Sequence, residues 1–391
     1  MIVTRYLGIQ ELEPKARFLL IKYSYFLLIN SFVMSLSWTF FSLHLIDKMG
    51  FTLTGIITAV RLLTQFIFDY PSGSLGDYIG QRSVLMFAYL FSGIGFFFLF
   101  FAQEFLMFLS IAIINGFGGA LSSGTLDSWL DTNYKKIDTN DNERKIYGFA
   151  RSRANTINNI AFATSFMTGG LVSTAFSRQT VFFLQFLLSL IMILIVLIQI
   201  KDISIETDMK NIQRTTDKVK GRRSHYFAYL KGGLQFMISN KSAFFCLLGM
   251  AFLNATWTIW PAIVLFPIYF GYTGDDLGAN LLRTIIYLNG FLIGLYVAKI
   301  SKKFSIEHYP KFLLIFMLLF FPAIIGLLIY IPVQNTFNLV GFILIILIMN
   351  CCTGFIYRTG EVLRMRLLVD LVPSENRNAV YSLIPTITCF L

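Results

Sequence analysis

The sequence predicts an all-α polytopic membrane protein, and three observations support this class. Of the 391 residues, 56% are hydrophobic and only 14% are charged, whereas a soluble domain carries roughly 25% charged residues. The mean hydropathy is +0.68. The apolar residues, including 42 Phe, recur in runs of the ~20 residues that a helix needs to cross a bilayer. This composition excludes an ordinary water-soluble enzyme.

Apolar runs separated by turn residues predict ten membrane-spanning helices and the start of an eleventh. They lie at about residues 18–45, 52–72, 83–102, 105–130, 150–175, 179–200, 243–270, 278–298, 311–331 and 337–357, and the last begins near 378. The first run is too long for the core of a signal peptide, and no small-residue cleavage pattern follows it. We therefore expect the first helix to be retained.

The basic residues predict the orientation of these helices. With a cytoplasmic N-terminus, nearly all of the 32 Lys and Arg residues fall in inner segments, and the outer loops hold only Lys48 and Arg178. This asymmetry is what the positive-inside rule requires. The net charge of +11 therefore needs no nucleic-acid partner, and we expect a multi-pass protein of the cell membrane with its N-terminus in the cytoplasm.

Cysteine and histidine offer little material for catalysis or metal binding. The cysteines lie in predicted apolar helices without the spacing of a zinc or redox site, and the histidines are scattered over different segments. These residues are Cys246, Cys351, Cys352, Cys389, His44, His225 and His308. We expect no cofactor, no metal and no enzymatic activity.

One long polar interval divides the chain. It predicts an N-terminal helical bundle over residues 1–200, a cytoplasmic linker over 201–241 and a C-terminal bundle over 242–391. Arg61 in the second helix has a counterpart in Arg283 of the eighth, which is consistent with a duplication. The eleventh helix stops at Leu391, so the second bundle is expected to be incomplete in this chain, by truncation or by nature.

A ten-residue motif stands between the second and third predicted helices. It reads G-S-L-G-D-Y-I-G-Q-R from Gly73 to Arg82, follows Asp69-Tyr-Pro-Ser, and places Asp77 and Gly80 inside a predicted inner loop. Gly80 permits a tight turn that a Cβ would obstruct. The motif resembles the loop signature of the major facilitator superfamily, and the acidic residue and proline before it resemble its efflux-like members.

The resemblance implies a fold and a gate. It implies two pseudo-symmetric six-helix bundles, with Asp77 and Arg82 forming a charged lock that closes the inner side against the start of the eleventh helix. A second stretch, from Gly124 through Asp127 to Asp131, resembles the end of the fourth helix in the same family. Asp131 is placed to accept a hydrogen bond from Arg82.

The sequence also departs from the family pattern. Tyr78 and Gln81 stand where the loop usually has basic residues, and Ala112 stands where the fourth helix of proton-coupled members often has arginine. The glycines at 169 and 170 lack the proline of the antiporter signature. Drug/proton antiport is therefore compatible with the sequence without being indicated by it.

Charged and aromatic residues inside predicted helices are the candidates for the substrate or ion pathway. A guanidinium in a membrane helix is costly unless it is paired or lines a wet cavity. Arg61 and Arg283 would attract an anionic substrate if they face the cavity, but snorkelling or a structural pair is the alternative. Asp69 and Asp127 are candidate proton carriers, or charges at helix ends near water. Trp257 could stack on a ligand or anchor the helix at the membrane surface.

Three further basic residues have simpler predicted roles. Arg151 and Arg153, at the start of the fifth helix, are expected to meet lipid phosphates or Asp131. Arg358 and Glu361 end the tenth helix three residues apart, which favours an ion pair within that helix.

The function predicted from these observations is secondary active transport of small solutes by alternating access, with export of small organic molecules or drugs. No nucleotide-binding loop is present in the sequence, so a proton or another ion is expected to supply the energy. A non-transporting receptor or scaffold on the same fold is the alternative, followed by a lipid-modifying membrane enzyme. The expected partners are a small-molecule substrate and the lipid bilayer, and we expect a monomer.

Overall fold

The computed structural model describes residues 2–137, 145–200, 239–241, 244–245, 248–249, 266–300 and separate positions between 304 and 359. Residues 201–238 of the predicted linker, Trp257, Glu361 and the start of the eleventh helix lie outside these residues, as do the side chains of Asp77 and Asp131 and the surroundings of Gly73. The described helices, numbered in chain order, are α1 (Ile2–Leu7), α2 (Pro14–Ser35), α3 (Phe41–Ile79), α4 (Gln81–Phe101), α5 (Phe105–Ser122), α6 (Thr125–Ile137), α7 (Lys145–Ala175), α8 (Arg178–Gln199), α9 (Phe266–Thr273) and α10 (Asp276–Ile300).

The class predicted from the sequence is confirmed. Within the described residues, 6 helical stretches are long and apolar enough to cross a membrane. They are Pro14–Ser35, Phe41–Asp69, Gln81–Phe101, Phe105–Leu130, Arg178–Gln199 and Asp276–Val297. The 31-residue helix α7 is also long enough, but it carries many Asn, Thr and Ser residues. These polar residues need partners inside the protein, because lipid cannot hydrogen-bond to them.

The predicted continuous first helix, residues 18–45, is wrong. Helix α2 ends at Ser35 and a turn occupies residues 36–40 before α3 begins at Phe41. Ser35, Ser37 and Thr39 surround the break, and hydroxyl side chains of this kind compete with helical hydrogen bonds. Helix α3 is itself interrupted at Gly50, where φ is 74°.

Side chains from two other helices hydrogen-bond to the backbone just before the break. Ser165 of α7 donates its hydroxyl to the carbonyl oxygen of Phe32 at 2.6 Å. The amide of Gln185 in α8 donates to the carbonyl oxygens of Val33 at 3.0 Å and Met34 at 3.3 Å. A broken helix is stable in a membrane only if such groups are satisfied internally, so α7 and α8 fix the position of the break.

The motif region is more helical than the sequence predicts. Helix α3 runs through Pro71 to Ile79, so most of the predicted loop from Gly73 to Arg82 is helix. As predicted, Gly80 makes the turn: its φ is 91°, a conformation that L side chains rarely adopt. The predicted fourth helix, residues 105–130, is split into α5 and α6 near Gly124, whose φ is 68°.

Two packing groups position the functional residues. Helices α3, α4, α5 and α8 pack on one another, and their shared core contains Phe40, Phe108 and Phe182. Helix α7 packs against α2 on one side and along α10 on the other, and the α7–α10 pair has the most extensive contact among the described helices. We call the facing surfaces of α7 and α10 the seam, since they join a helix before the predicted linker to one after it.

Candidate substrate pathway

One end of the seam is held by an arginine between two carboxylates. Arg178, at the start of α8, donates to both carboxylate oxygens of Asp276 at 2.8 and 2.7 Å. Its remaining Nη1 donates to Asp47 of α3 at 2.5 Å. We call these three residues the latch. A bidentate arginine–carboxylate pair is among the stronger polar contacts in proteins.

The members of the latch differ in exposure. The side chains of Arg178 and Asp276 are 16% and 11% exposed, whereas that of Asp47 is 63% exposed. The guanidinium also lies 5.5 Å from the ring centre of Phe270 in α9. The pair that crosses the predicted halves of the chain is therefore the buried one. From the sequence, Arg178 was predicted only as a charge in an outer loop. The signal that could have identified its partners was an Asp next to an end of each neighbouring predicted helix.

Arg283 of α10 lies two turns further along the seam and is buried, with 4% of its surface exposed. Its Nη1 donates to the hydroxyl of Thr39, in the break between α2 and α3, at 3.1 Å. Its guanidinium carbon lies 3.9 Å from the centre of the Phe166 ring. Arg283 therefore points into protein and contacts the chain on the far side of the predicted linker.

Four aromatic rings surround this region of the seam. Trp38 stacks on Phe162 at 5.6 Å between centroids, with 27° between the ring planes. Tyr287 of α10 lies 5.2 Å from Phe162 and 5.0 Å from Phe166. We call these residues, Trp38, Phe162, Phe166 and Tyr287, the aromatic cluster. Trp38 is 46% exposed, so the cluster keeps an accessible ring.

A second guanidinium lies further along the seam from the latch. Arg358 donates to the side-chain oxygen of Asn159 in α7 at 2.9 Å. It lies over two glycines of α10: a Cβ built at Gly290 would be 2.9 Å from its Nη2, and one at Gly294 would be 3.2 Å from its Nη1. The sequence predicted only an ion pair of Arg358 within its own helix, so this contact with α7 is an additional one. The other member of that predicted pair, Glu361, lies outside the described residues.

Arg61 of α3 lies elsewhere, within the packing group of α3, α4 and α5. It is half-buried and borders a small cavity. The other lining residues are Phe41, Leu45, Ile57, Thr58, Leu99, Phe108, Ile111, Ala112 and Asn115. None of them is among the residues that contact Arg283 above. The two arginines that the sequence paired as counterparts thus have separate surroundings.

Asp69 is buried, with 2% of its surface exposed. This corrects the view of Asp69 as a charge at the water boundary. Helix α3 continues for ten further residues, and the side chain lies beside Ser123, the residue that follows α5. The neighbouring Ser72 donates to the carbonyl oxygen of Ala120 at 2.8 Å. The Asp69 carboxyl group is therefore enclosed between α3 and the end of α5 and is not in contact with bulk water.

Asp127 of α6 is part of a polar network. Tyr23 donates its hydroxyl to one carboxylate oxygen of Asp127 at 2.7 Å, and Arg151 of α7 pairs with the other at 2.5 Å. The Asp127 and Arg151 side chains are 43% and 27% exposed. Asp127 is therefore a partner of Arg151 that the sequence did not predict. The side chain of Asp131, one of its predicted partners, lies outside the described residues.

Among the described contacts, Arg153 meets two aromatic rings. Its guanidinium lies 4.9 Å from the Tyr6 ring centre and 5.0 Å from that of Phe149. Burial raises the pKa of the Tyr6 phenol, and the nearby guanidinium offsets part of that rise. These contacts hold α1 against the start of α7.

Arg82, in the resembling motif, donates to the carbonyl oxygen of Leu197 at 2.6 Å. This carbonyl belongs to the last turn of α8, where the negative end of the helix dipole also attracts a cation. Arg82 thereby ties the Gly80 turn to α8. Among the residues that the structure describes, no group of three or more His, Cys, Asp or Glu is placed to hold a metal ion.

These features define a class of protein: a multi-pass helical membrane protein with charged and aromatic side chains enclosed between its spans, as a solute carrier requires. The chain belongs to the major facilitator superfamily, whose family model matches residues 25–391. It is therefore a secondary transporter rather than an enzyme. No curated protein matches it by sequence.

Solved structures share the fold. The chain is similar to the nucleoside transporter NupG, with 14% identity, a TM-score of 0.64 and coverage of 95% of this chain and 87% of that one. A point mutant of NupG gives a TM-score of 0.63 at 14% identity, with coverage of 95% and 88%. At this identity the likeness concerns the fold, and it confirms the all-helical architecture predicted for the chain.

Proposed function

We propose that this protein carries a small organic solute out of the cell, across the cell membrane, by opening and closing the two ends of the seam in turn. The observation that carries this proposal is the latch. Its buried bidentate pair joins α8, before the predicted linker, to α10, after it. With the predicted cytoplasmic N-terminus, the latch closes the outer face. The solute then enters from the cytoplasm.

The second carboxylate of the latch explains how it could open at low cost. Breaking a buried ion pair is costly mainly because it leaves an uncompensated charge, typically by about 3–5 kcal/mol. Arg178 keeps its hydrogen bond to Asp47 when Asp276 moves away, because both residues precede the predicted linker. Asp276 would gain water as the outer end opens. The pair therefore favours closure without preventing opening.

Asp127 supports coupling to a proton. Its carboxylate joins α2, α6 and α7 and is partly exposed, so water can reach it. Neutral Asp127 would release Arg151, and this would loosen α7, one wall of the seam. Asp69, buried beside Ser123, is the second candidate in the same part of the chain.

The motif before Gly80 supports export, since its Asp69-Tyr-Pro-Ser stretch resembles efflux-like members of the family. The described part of the motif contributes the Gly80 turn and the Arg82 contact with α8. Asp77 and Asp131 are proposed to complete an inner gate. Arg61 is proposed to line a branch of the pathway at the cavity between α3 and α5, and Trp257 to contact the solute.

Transport assays in proteoliposomes test this proposal. Purified full-length protein is reconstituted, and a panel of small organic solutes is screened with a pH gradient imposed and then collapsed. The proposal expects gradient-driven flux of at least one solute, lost when the gradient collapses. Flux that ignores the gradient would contradict proton coupling. Binding of a panel solute without movement across the bilayer would contradict transport and favour the receptor alternative.

A further inference from the structure

A polar face of α3 packs against the last turn of α5. Gln65, Asp69 and Ser72 are spaced by four and three residues, so they lie on one face of α3. Two contacts confirm that this face meets α5. A Cβ built at Gly119 would lie 3.3 Å from the side-chain oxygen of Gln65. The Ser72 hydroxyl donates to the carbonyl oxygen of Ala120 at 2.8 Å.

The carboxylate of Asp69 is the charged group of this face, and one of its oxygens has no hydrogen-bond partner. Asp69 is 2% exposed and lies beside Ser123, while its Oδ2 is buried and unpartnered. In the described part of the chain, no Lys, Arg or His side chain forms an ion pair with it. Buried charges in proteins are paired or coordinate a metal ion. The surroundings of Asp69 therefore favour a bound cation.

The end of α5 provides a second, independent attraction for a cation. Helix α5 ends at Ser122, the backbone of Ser123 is extended, and Gly124 has a φ of 68°, so α5 and α6 are two parts of one broken span. The last carbonyl groups of a helix lack partners within it and carry partial negative charge. In broken transmembrane helices, such half-helix ends are suited to coordinate sodium ions or protons.

The groups around Asp69 offer oxygen atoms of the kind that hard cations prefer, namely carboxylate, carbonyl and hydroxyl oxygens. Hydroxyl groups already contact the last carbonyl oxygens of α5, as Thr125 does with Leu121 at 2.6 Å. Each carbonyl oxygen has two lone pairs, so it can accept such a bond and still contact an ion. One carboxylate balances one positive charge, which favours a monovalent ion. An ion in direct contact with oxygen atoms also needs less space than an organic solute.

We propose that Asp69 and the end of α5 bind a sodium ion, with Asp69 Oδ2 as the charged ligand. The hydroxyl of Ser123 and carbonyl oxygens of the last turn of α5 are its neutral ligands. The proposal goes beyond the proton coupling proposed above, because it assigns Asp69 to a second ion and leaves the proton to Asp127. Since its ligands come from two helices, the ion holds the end of α3 against α5.

Thermal unfolding of the purified full-length protein tests the site without a transport assay. The midpoint is measured in detergent at constant ionic strength, with NaCl exchanged stepwise for choline chloride or for KCl. An ion that binds only the folded protein raises the midpoint, so we expect a saturable rise in NaCl, a smaller one in KCl and none in choline chloride. The same midpoint in NaCl and choline chloride would overturn the proposal. An equal rise in KCl would also overturn it, as a general effect of salt.

Substitutions assign the ligands. Asp69→Asn is expected to lose the sodium-dependent rise, because it removes the charged ligand. Ser123→Ala keeps the charge and should increase the sodium concentration at half of the rise severalfold. Glu104→Gln changes an acid at the opposite end of α5, and Ser110→Ala an exposed hydroxyl of the same helix; both should keep the rise of the parent. A full rise in Asp69→Asn would overturn the assignment.

Direct binding keeps the proposal testable if Asp69→Asn does not fold. Radioactive sodium should bind to the parent and to Glu104→Gln in equilibrium dialysis, and unlabelled NaCl should displace it while choline chloride should not. A parent protein that binds no sodium would overturn the proposal.

The failures of the two proposals are distinguishable. If a solute moves across proteoliposomes under a pH gradient while sodium neither binds nor raises the midpoint, the sodium site is wrong and the transport function stands. If sodium binds to the parent as expected but no panel solute moves, the sodium site stands and the transport function is wrong.

Discussion

Arg178 and Asp276 are 98 positions apart in the chain and form a bidentate ion pair with bonds of 2.8 and 2.7 Å. The pair is nearly enclosed, with side-chain exposures of 16% and 11%, so it is screened by solvent less than a surface pair is. Because the pair joins α8 to α10 at one end of the seam, these helices cannot separate there without breaking it.

Removing the charge of Asp276 should open this end of the seam. In Asp276→Asn, Arg178 retains Asp47 but loses its bidentate partner, so the closed arrangement is less favoured. We expect a cysteine placed by Trp38→Cys, in a background without the natural cysteines, to react at least severalfold faster with a membrane-impermeant thiol reagent added from the latch side. Asp47→Asn should change this rate less, because its bond to Arg178 does not cross the seam. Equal rates in Asp276→Asn and the parent would count against the latch.

Gly169 of α7 lies directly against the helix break. A Cβ at this position would lie 2.0 Å from the carbonyl oxygen of Leu36, which is backbone and cannot rotate away. We expect Gly169→Ala to destabilise the protein by about 1–3 kcal/mol, the usual cost of overpacking, measured as a lower thermal midpoint in detergent.

Gly148 in the same helix provides the control. A Cβ there meets no other atom within 4 Å, so Gly148→Ala should be neutral or slightly stabilising, because alanine is the better helix former. A Gly169→Ala variant as stable as Gly148→Ala would mean that α7 does not pack on the break as described.

Gln185 should be as important to the stability of the helix break as the close packing at Gly169 is. Gln185→Leu keeps a similar size but removes the donor to the Val33 and Met34 carbonyl oxygens. Leaving buried carbonyl groups unsatisfied costs about 1–3 kcal/mol, and the thermal midpoint should fall accordingly. Gln199→Leu, at the exposed end of the same helix, should leave the midpoint unchanged. A similar midpoint for both variants would show that the break has other support.

Substitution of Asp127 should affect proton coupling strongly and the stability of the protein only slightly. Its pair with Arg151 is partly exposed, so Asp127→Asn should lower the free energy of unfolding by less than about 1 kcal/mol. Because asparagine cannot bind a proton, we expect the variant to lose the response of solute flux to an imposed pH gradient. Glu104→Gln, a change of the same kind at an exposed position, should keep that response. A gradient response retained in Asp127→Asn would exclude Asp127 as the proton carrier.

The sequence predicts the fold better than it predicts the site, and the residues show why. Span lengths depend on local hydrophobicity, so the third, fifth, sixth and eighth predicted helices lie close to α4, α7, α8 and α10. The break at Leu36 was missed because its hydroxyl residues sit in an apolar run and its stabilising partners, Ser165 and Gln185, are more than 130 positions away.

The same distance limits the prediction of the site. Arg283 was found because a charge inside an apolar helix is visible locally. The contacts of Arg178 with Asp276 and of Arg358 with Asn159 were not predicted, because these partners lie 98 and 199 positions away. The two glycines of α10 were a local signal that another group packs closely against this helix. Glycines alone do not show that this group is Arg358.

The distance across the latch end tests the central claim most directly. Spin labels at Phe51→Cys and Gly271→Cys, both exposed, report the separation of the two sides in a cysteine-free background in nanodiscs, and Phe51→Cys with Phe176→Cys provides a pair on one side only. We predict that Asp276→Asn adds a longer distance for the first pair and leaves the second unchanged. Identical distance distributions with and without Asp276→Asn would contradict a transporter that opens at this end of the seam.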